Sequence, residues 1–159
     1  MKINIYCIGK LKESYWVSAC DEYIKRINPY IKIEVIEVPD LPIKENASKA
    51  EIEEVKNLEG KKVLSKLSPS SYLVSLDLNQ KQYDSIEFAS HLEKMMVLSR
   101  SNLNFVIGGS LGLSDELKSR SNESICFGKA TFPHQLVRVM LLEQIYRACR
   151  INNHEPYHK

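Results

Sequence analysis

The chain lacks most of the devices by which nucleotide and metal sites announce themselves. Glycine is scarce, with six in 159 residues, and the first strand-like stretch is followed by one alone, Gly9. A dinucleotide fingerprint needs Gly-x-Gly-x-x-Gly directly after an early strand, so that class is excluded. A P-loop needs Gly-Lys-Ser/Thr, and Gly128-Lys129-Ala130 breaks it. A phospho-acceptor receiver domain calls for acidic residues where Gly9-Lys10 stands. The cysteines (Cys7, Cys20, Cys126, Cys149) form no Cys-x-x-Cys, and three of them sit in apolar periodic segments. Zinc and disulfide frameworks are therefore unsupported, and free buried thiols in a reducing compartment are expected. Neither a Ser-His-Asp order nor a metal-ligand cluster is evident.

Long hydrophobic runs are missing too. No apolar stretch approaches the ~20 residues of a membrane helix, and Met1-Lys2-Ile3-Asn4-Ile5 starts a strand without a signal-peptide core. A cytoplasmic protein with no membrane partner is expected. Net charge is weak, at +2, so whole-chain electrostatics do not mark a nucleic-acid binder. The segment from Arg138 to Lys159 is mildly basic, with Arg138, Arg147, Arg150 and Lys159 against Glu143 and Glu155. That suits a phosphate-bearing partner without requiring one.

What is present is an alternation of strand and helix. Residues 2–8 alternate as a strand, and 13–27 carry Trp16, Cys20, Tyr23 and Ile27 at helical spacing. A second strand runs from Ile31 to Val38. Ser48-Lys49-Ala50-Glu51 matches a capping box for a helix expected to reach Leu67, with a bend or break possible at Gly60. Tyr72–Leu78 reads as strand three, with a polar turn at Asn79-Gln80-Lys81. Asp84 caps helix three, and Phe105–Ile107 forms strand four before Gly108-Gly109. Ser114 caps helix four, Ser124–Phe127 is strand five, and Pro133 opens helix five in its first turn. Five repeats of this alternation in one uninterrupted chain imply a single α/β domain over 1–159, with a mostly parallel sheet and helices on both faces.

In such sheets ligands bind beyond the carboxyl ends of strands. Half of the glycines cluster there as Gly108-Gly109-x-x-Gly112, and Phe127–Phe132 with Pro133-His134 makes a second unusual junction. Phe-Val-Ile-Gly-Gly-x-x-Gly-Leu, Thr-Phe-Pro-His-Gln-Leu-x-Arg-Val-x-Leu-x-Glu-Gln-x-Tyr-Arg-Ala and a terminal His-x-Pro-Tyr-His-Lys together resemble the RlmH family across essentially the whole chain. These are small SPOUT-class enzymes that methylate N3 of a pseudouridine in large-subunit ribosomal RNA. The resemblance implies S-adenosylmethionine as donor, held by Leu76, Gly108 and the loop Phe127, Gly128, Lys129, Ala130, Thr131 and Phe132, with no metal. It also implies a carboxyl-terminal trefoil knot, a homodimer, and ribosomal RNA in the assembled ribosome as partner. Periodicity by itself points to an unknotted doubly wound sheet.

The chemistry narrows the candidates further. The acceptor N3 is a protonated imide, so the site must remove its proton or stabilise the resulting anion. His134 reads equally as a cap, a packing residue or a catalyst. Arg138 shares its helix face and suits a phosphate or an anionic base, the plainer reading being a salt bridge to a glutamate such as Glu143. Glu143 and Arg147 have the spacing of an ordinary helix ion pair. Tyr157 and His158 are the further catalytic candidates, since a polar tail that ends on a ring, an imidazole and Lys159 is equipped to hold a nucleotide. The resemblance implies that this tail folds over the donor and helps form the RNA site. Lys10 and Lys12 are candidate RNA contacts or simply a solvated loop. Two other readings stand beside the enzyme: a non-catalytic RNA-binding module of the same fold, and a flavodoxin-like nucleotide or flavin protein.

Overall fold

Alternating side chains in the first strand set the plan of the molecule. In β1 (Lys2–Ile8), Ile3, Ile5 and Cys7 face one core while Tyr6 and Ile8 face another. A strand buried on both faces belongs inside a sheet, and there it lies. A computed structural model describes all residues, Met1–Lys159. The elements follow as α1 (Ser14–Ile27), β2 (Lys32–Val38), α2 (Lys49–Leu64), β3 (Tyr72–Lys81), α3 (Ser85–Leu98), β4 (Asn102–Ile107), α4 (Asp115–Arg120), β5 (Glu123–Ile125) and α5 (His134–Asn152). The strand order is β2-β1-β4-β3-β5, and every neighbouring pair is parallel.

Helices cover both faces, as expected. On one side α5 packs against α1 and α3, enclosing Phe105, Leu103, Ile5, Met95, Leu141 and Ile145. On the other, α2 and α4 meet over Tyr6, Val106, Val63 and Leu117. Side chains of this size contribute roughly 1.5–3 kcal/mol each when fully buried, so the larger core holds most of the stability. All four cysteines are buried and free. Burial pushes the Cys7 thiol up to about 12, so it behaves as a small hydrophobe. No helix is long and apolar enough to cross a membrane. Strand order and packing define these layers without displaying a knot.

The capping boxes at Ser48 and Asp84 form as expected, and the Ser114 hydroxyl accepts from the Leu117 N–H. Several boundaries differ from the sequence reading, most by a residue or two, and four of them bear on the site or its packing. Helix α2 stops at Leu64 and runs unbroken through Gly60. Strand β3 continues through Lys81, because the Cys126 N–H bonds to the Lys81 carbonyl and Ile125 faces both Leu76 and Lys81. Residues 77–80 therefore arch out as a bulge, with Asn79 at φ 59°. Strand β5 ends at Ile125, two residues early. Pro133 caps α5 from outside its first turn.

Gly60 has a packing reason that propensity hides. A Cβ there would sit 2.3 Å from Ser114 Oγ and 3.2 Å from Ser114 Cβ. Rotating the hydroxyl away would still leave a tight contact and would lose the α4 cap. Gly60→Ala should thus destabilise the fold by about 1–3 kcal/mol from overpacking, despite the ~1 kcal/mol that alanine offers in a helix. Urea unfolding of the variant measures the sign.

Candidate functional site

The site begins where β4 ends. Ile107 is buried, and the chain turns at once through Gly108 and Gly109, the Gly112 N–H bonding back to the Gly109 carbonyl at 3.1 Å. A Cβ on Gly108 would lie 2.8 Å from the carbonyl carbon of Gly112. Glycine at 108 is therefore demanded by the close approach of two backbone segments. Gly112 itself sits at φ 84° and Gly128 at φ 143°, each with open space beside it. Both occupy the left-handed region that side chains rarely adopt.

These turns, the β3 bulge and the loop after β5 enclose a cavity of about 270 Å³. Leu76, Ile107 and Gly108 lie at the strand ends; Phe127, Gly128, Thr131 and Phe132 come from the loop; His134 and Val137 close it from the start of α5. Of the eight expected donor-binding residues, Leu76, Gly108, Phe127, Gly128, Thr131 and Phe132 line this one cavity. Lys129 and Ala130 belong to the same loop and stand outside the lining. Apolar walls beside exposed backbone N–H and C=O groups suit a flat heterocycle read along its edge. The alanine-free space at Gly112 and Gly128 gives such a ligand room to approach the main chain.

Asp77 lines the cavity because of the bulge, and Lys118 holds its Oδ2 at 3.1 Å. His134 is held below the usual imidazole range, first by burial and then by the Arg138 guanidinium, with Asp40 pulling the other way. Burial and the guanidinium both favour the neutral ring.

Arg138 does not line the cavity. It is 5% exposed, and its Nη1 donates to Glu37 Oε1 at 3.0 Å while Nη2 donates to the Gly9 carbonyl at 3.3 Å. The salt bridge expected with a glutamate is made, with Glu37 of β2 as the partner in place of Glu143. The reason is direction: Arg138 faces the ends of β1 and β2, whereas Glu143 accepts from Arg147 Nε at 3.0 Å, the ordinary helix pair.

The tail is ordered against α5. Tyr157 packs edge-on to Tyr146 with centroids 4.8 Å apart, lies under Arg147, and donates its hydroxyl to Glu143 at 3.2 Å. Burial, then Glu143, pushes the Tyr157 phenol up to about 12, so it remains a donor. His158 Nδ1 is 3.3 Å from Arg147. Within one chain the tail stands clear of the first cavity. His158 lines a neighbouring one of about 570 Å³ with Glu143, Tyr23 and Tyr83, and Cys126 and Phe127 border both. The strand-three end Leu76-Asp77-Leu78 is a junction that sequence reading placed at the crevice, and all three residues line it, although Asp77 and Leu78 were not among the expected donor residues; Glu37 was missed, being separated from Arg138 by 101 positions. No group of three or more His, Cys, Asp or Glu residues is placed to hold a metal ion.

A family model described as predicted SPOUT methyltransferase matches residues 1–158. The chain is 50% identical to ribosomal RNA large subunit methyltransferase H of Enterococcus faecalis, and 52% identical to that of Bacillus thuringiensis, over all of both chains in each case. It is also similar to the crystal structure of a probable methyltransferase from Bordetella pertussis, at 13% identity and a TM-score of 0.59, covering 92% of this chain and 93% of that one. That likeness concerns the fold.

Gly108→Ala should lower affinity for S-adenosylmethionine at least ~10-fold, since the loop over residues 109–112 must move out of the cavity wall. Calorimetric titration measures it, and circular dichroism should show the sheet retained. Unchanged affinity would place the donor elsewhere.

Proposed function

The chain belongs to the SPOUT methyltransferase family, and from that premise we propose that it transfers a methyl group from S-adenosylmethionine to N3 of a pseudouridine in large-subunit ribosomal RNA. The observation that carries this reading is convergence: six expected donor residues, drawn from three separated stretches of sequence, line one cavity at the carboxyl edge of a parallel sheet. Curated relatives at about half identity over the full length, named as large-subunit ribosomal RNA methyltransferases, support it.

The cavity fits the donor. Leu76, Phe127 and Phe132 offer apolar surface to the adenine, and main-chain groups at Gly108 and in the 127–132 loop, Lys129 and Ala130 included, offer its edge partners. When bound, the donor supplies an electrophilic methyl on a sulfonium sulfur. The chain's own contribution is positioning, which governs in-line displacement, and the removal of the imide proton.

Arg138, Tyr157 and His158 engage the nucleotide side in this proposal. Arg138 acts by fixing the Gly9 loop, and with it Lys10 and Lys12, beside the start of α5. Tyr157 and His158 present a ring and an imidazole at the chain end, where bases are commonly stacked and phosphates paired. Because the tail of one chain leaves its own donor cavity uncovered, the site is completed by a second copy. A homodimer is part of the proposal, and α1 leaves Tyr15 and Val17 exposed for such a surface. The knot implied by the resemblance, with the α5 segment threaded through a loop, is part of it as well. A chain this small with weak net charge is suited to a preformed RNA surface, hence the assembled ribosome in the cytoplasm as substrate.

Labelled methyl should pass from S-adenosylmethionine to 50S or 70S particles that lack the modification, and not to naked RNA. No transfer to 30S, 50S or 70S particles would overturn the enzymatic reading; no donor binding would favour the RNA-binding module. Deleting residues 156–159 should cut transfer at saturating donor by ~100-fold or more, the scale expected when substrate-positioning groups are lost. Sedimentation should give a dimer mass.

A further inference from the structure

Resting on the methyltransferase reading, we infer that His134 is the base that takes the N3 proton from the acceptor. The other titratable groups around the donor cavity are already engaged. Asp77 lines the cavity but is paired with Lys118 at 3.1 Å. The Cys126 thiol donates to the Gln80 carbonyl at 3.1 Å. In the neighbouring cavity, Glu143 accepts from Arg147, Tyr157 and Gln144, and His158 lies against Arg147. His134 alone lines the donor cavity with a titratable ring that forms no hydrogen bond within the chain.

Its surroundings suit the task. Burial and Arg138 on the same helix disfavour imidazolium, so the ring is a proton acceptor at neutral pH. The amino-terminal end of α5 acts in the same direction. Asp40, from the segment after β2, opposes them and gives the imidazolium a counter-charge once it forms. Glu37, the remaining acid on that side, is already paired with Arg138. In the step, the N3–H bond breaks and its proton passes to a ring nitrogen of His134. The electron pair left on N3 bonds to the methyl carbon, the carbon–sulfur bond breaks with its pair going to sulfur, and the imidazolium returns the proton to water.

The test uses the full-length protein, 50S particles lacking the modification, and saturating S-adenosylmethionine across about pH 5 to 9, the range in which such a base titrates. Wild-type single-turnover rates should rise with pH to a plateau, with a midpoint below the ordinary imidazole value of 6.5. The same midpoint should appear in an NMR titration of the His134 ring. His134→Gln should lose about 10²–10⁴-fold in rate near neutral pH, with a rate that keeps climbing with pH and a donor affinity like that of wild type by calorimetry. Asp40→Asn should move both midpoints to lower pH. A wild-type profile in His134→Gln, a rate loss fully explained by weaker donor binding, or a kinetic midpoint that departs from the ring's own would each overturn the inference. Absence of transfer by wild type is a separate result, which sinks the methyltransferase reading itself.

Discussion

The approach of Gly108 to Gly112, too close for any Cβ between them, is the constraint on which the site depends. β4 is the central strand, buried on both faces between β1 and β3, so its end cannot shift without disturbing two cores. The turn that follows must fold back within that fixed frame, and only glycine leaves the space. The result is a rigid wall of main chain at the middle of the sheet edge. Ser114, two residues past Gly112, then caps α4 and packs on Gly60 of α2. One tight turn thereby couples the cavity at the end of β4 to the second core.

A second constraint is the buried guanidinium of Arg138. It bridges the first turns of α5 to Glu37 at the end of β2 and to the Gly9 carbonyl at the end of β1. A charge taken out of water must be paired and hydrogen-bonded, and here the pairing doubles as alignment. It sets where α5 begins, hence where the 127–132 loop must end and where His134 meets the cavity. Removing the guanidinium would leave Glu37 without its partner and the strand ends without their clamp, so its loss would damage the site indirectly.

The two cavities share a partition of Cys126 and Phe127. On one side lie apolar walls and exposed main chain; on the other lie Tyr23, Tyr83, Glu143 and His158. Cys126 and Phe127 thus form one wall common to an apolar pocket and a polar one. The tail's aromatic and ionic contacts with α5 explain why it is ordered in a region where polar termini usually fray.

Local chemistry determined much of this protein from sequence alone. Period-two and helical patterning, the capping residues at Ser48, Asp84 and Ser114, and the turn glycines each act over a few residues, so the five strands, the helices and the Gly108 and 127–132 loops were legible. The resemblance of the late motifs then implied a set of donor-binding residues, and six of those eight line one cavity. What the tertiary structure decided are features whose cause lies far away in the chain. The β3 bulge, which places Asp77, depends on β5 pairing with Lys81. The partner of Arg138 is Glu37 because parallel strands bring the ends of β1 and β2 under α5. The helix through Gly60 stays intact because Ser114 fills the space that a side chain would need. None of these contacts has a local signature, since each joins groups that meet only when the sheet has closed around its central strand.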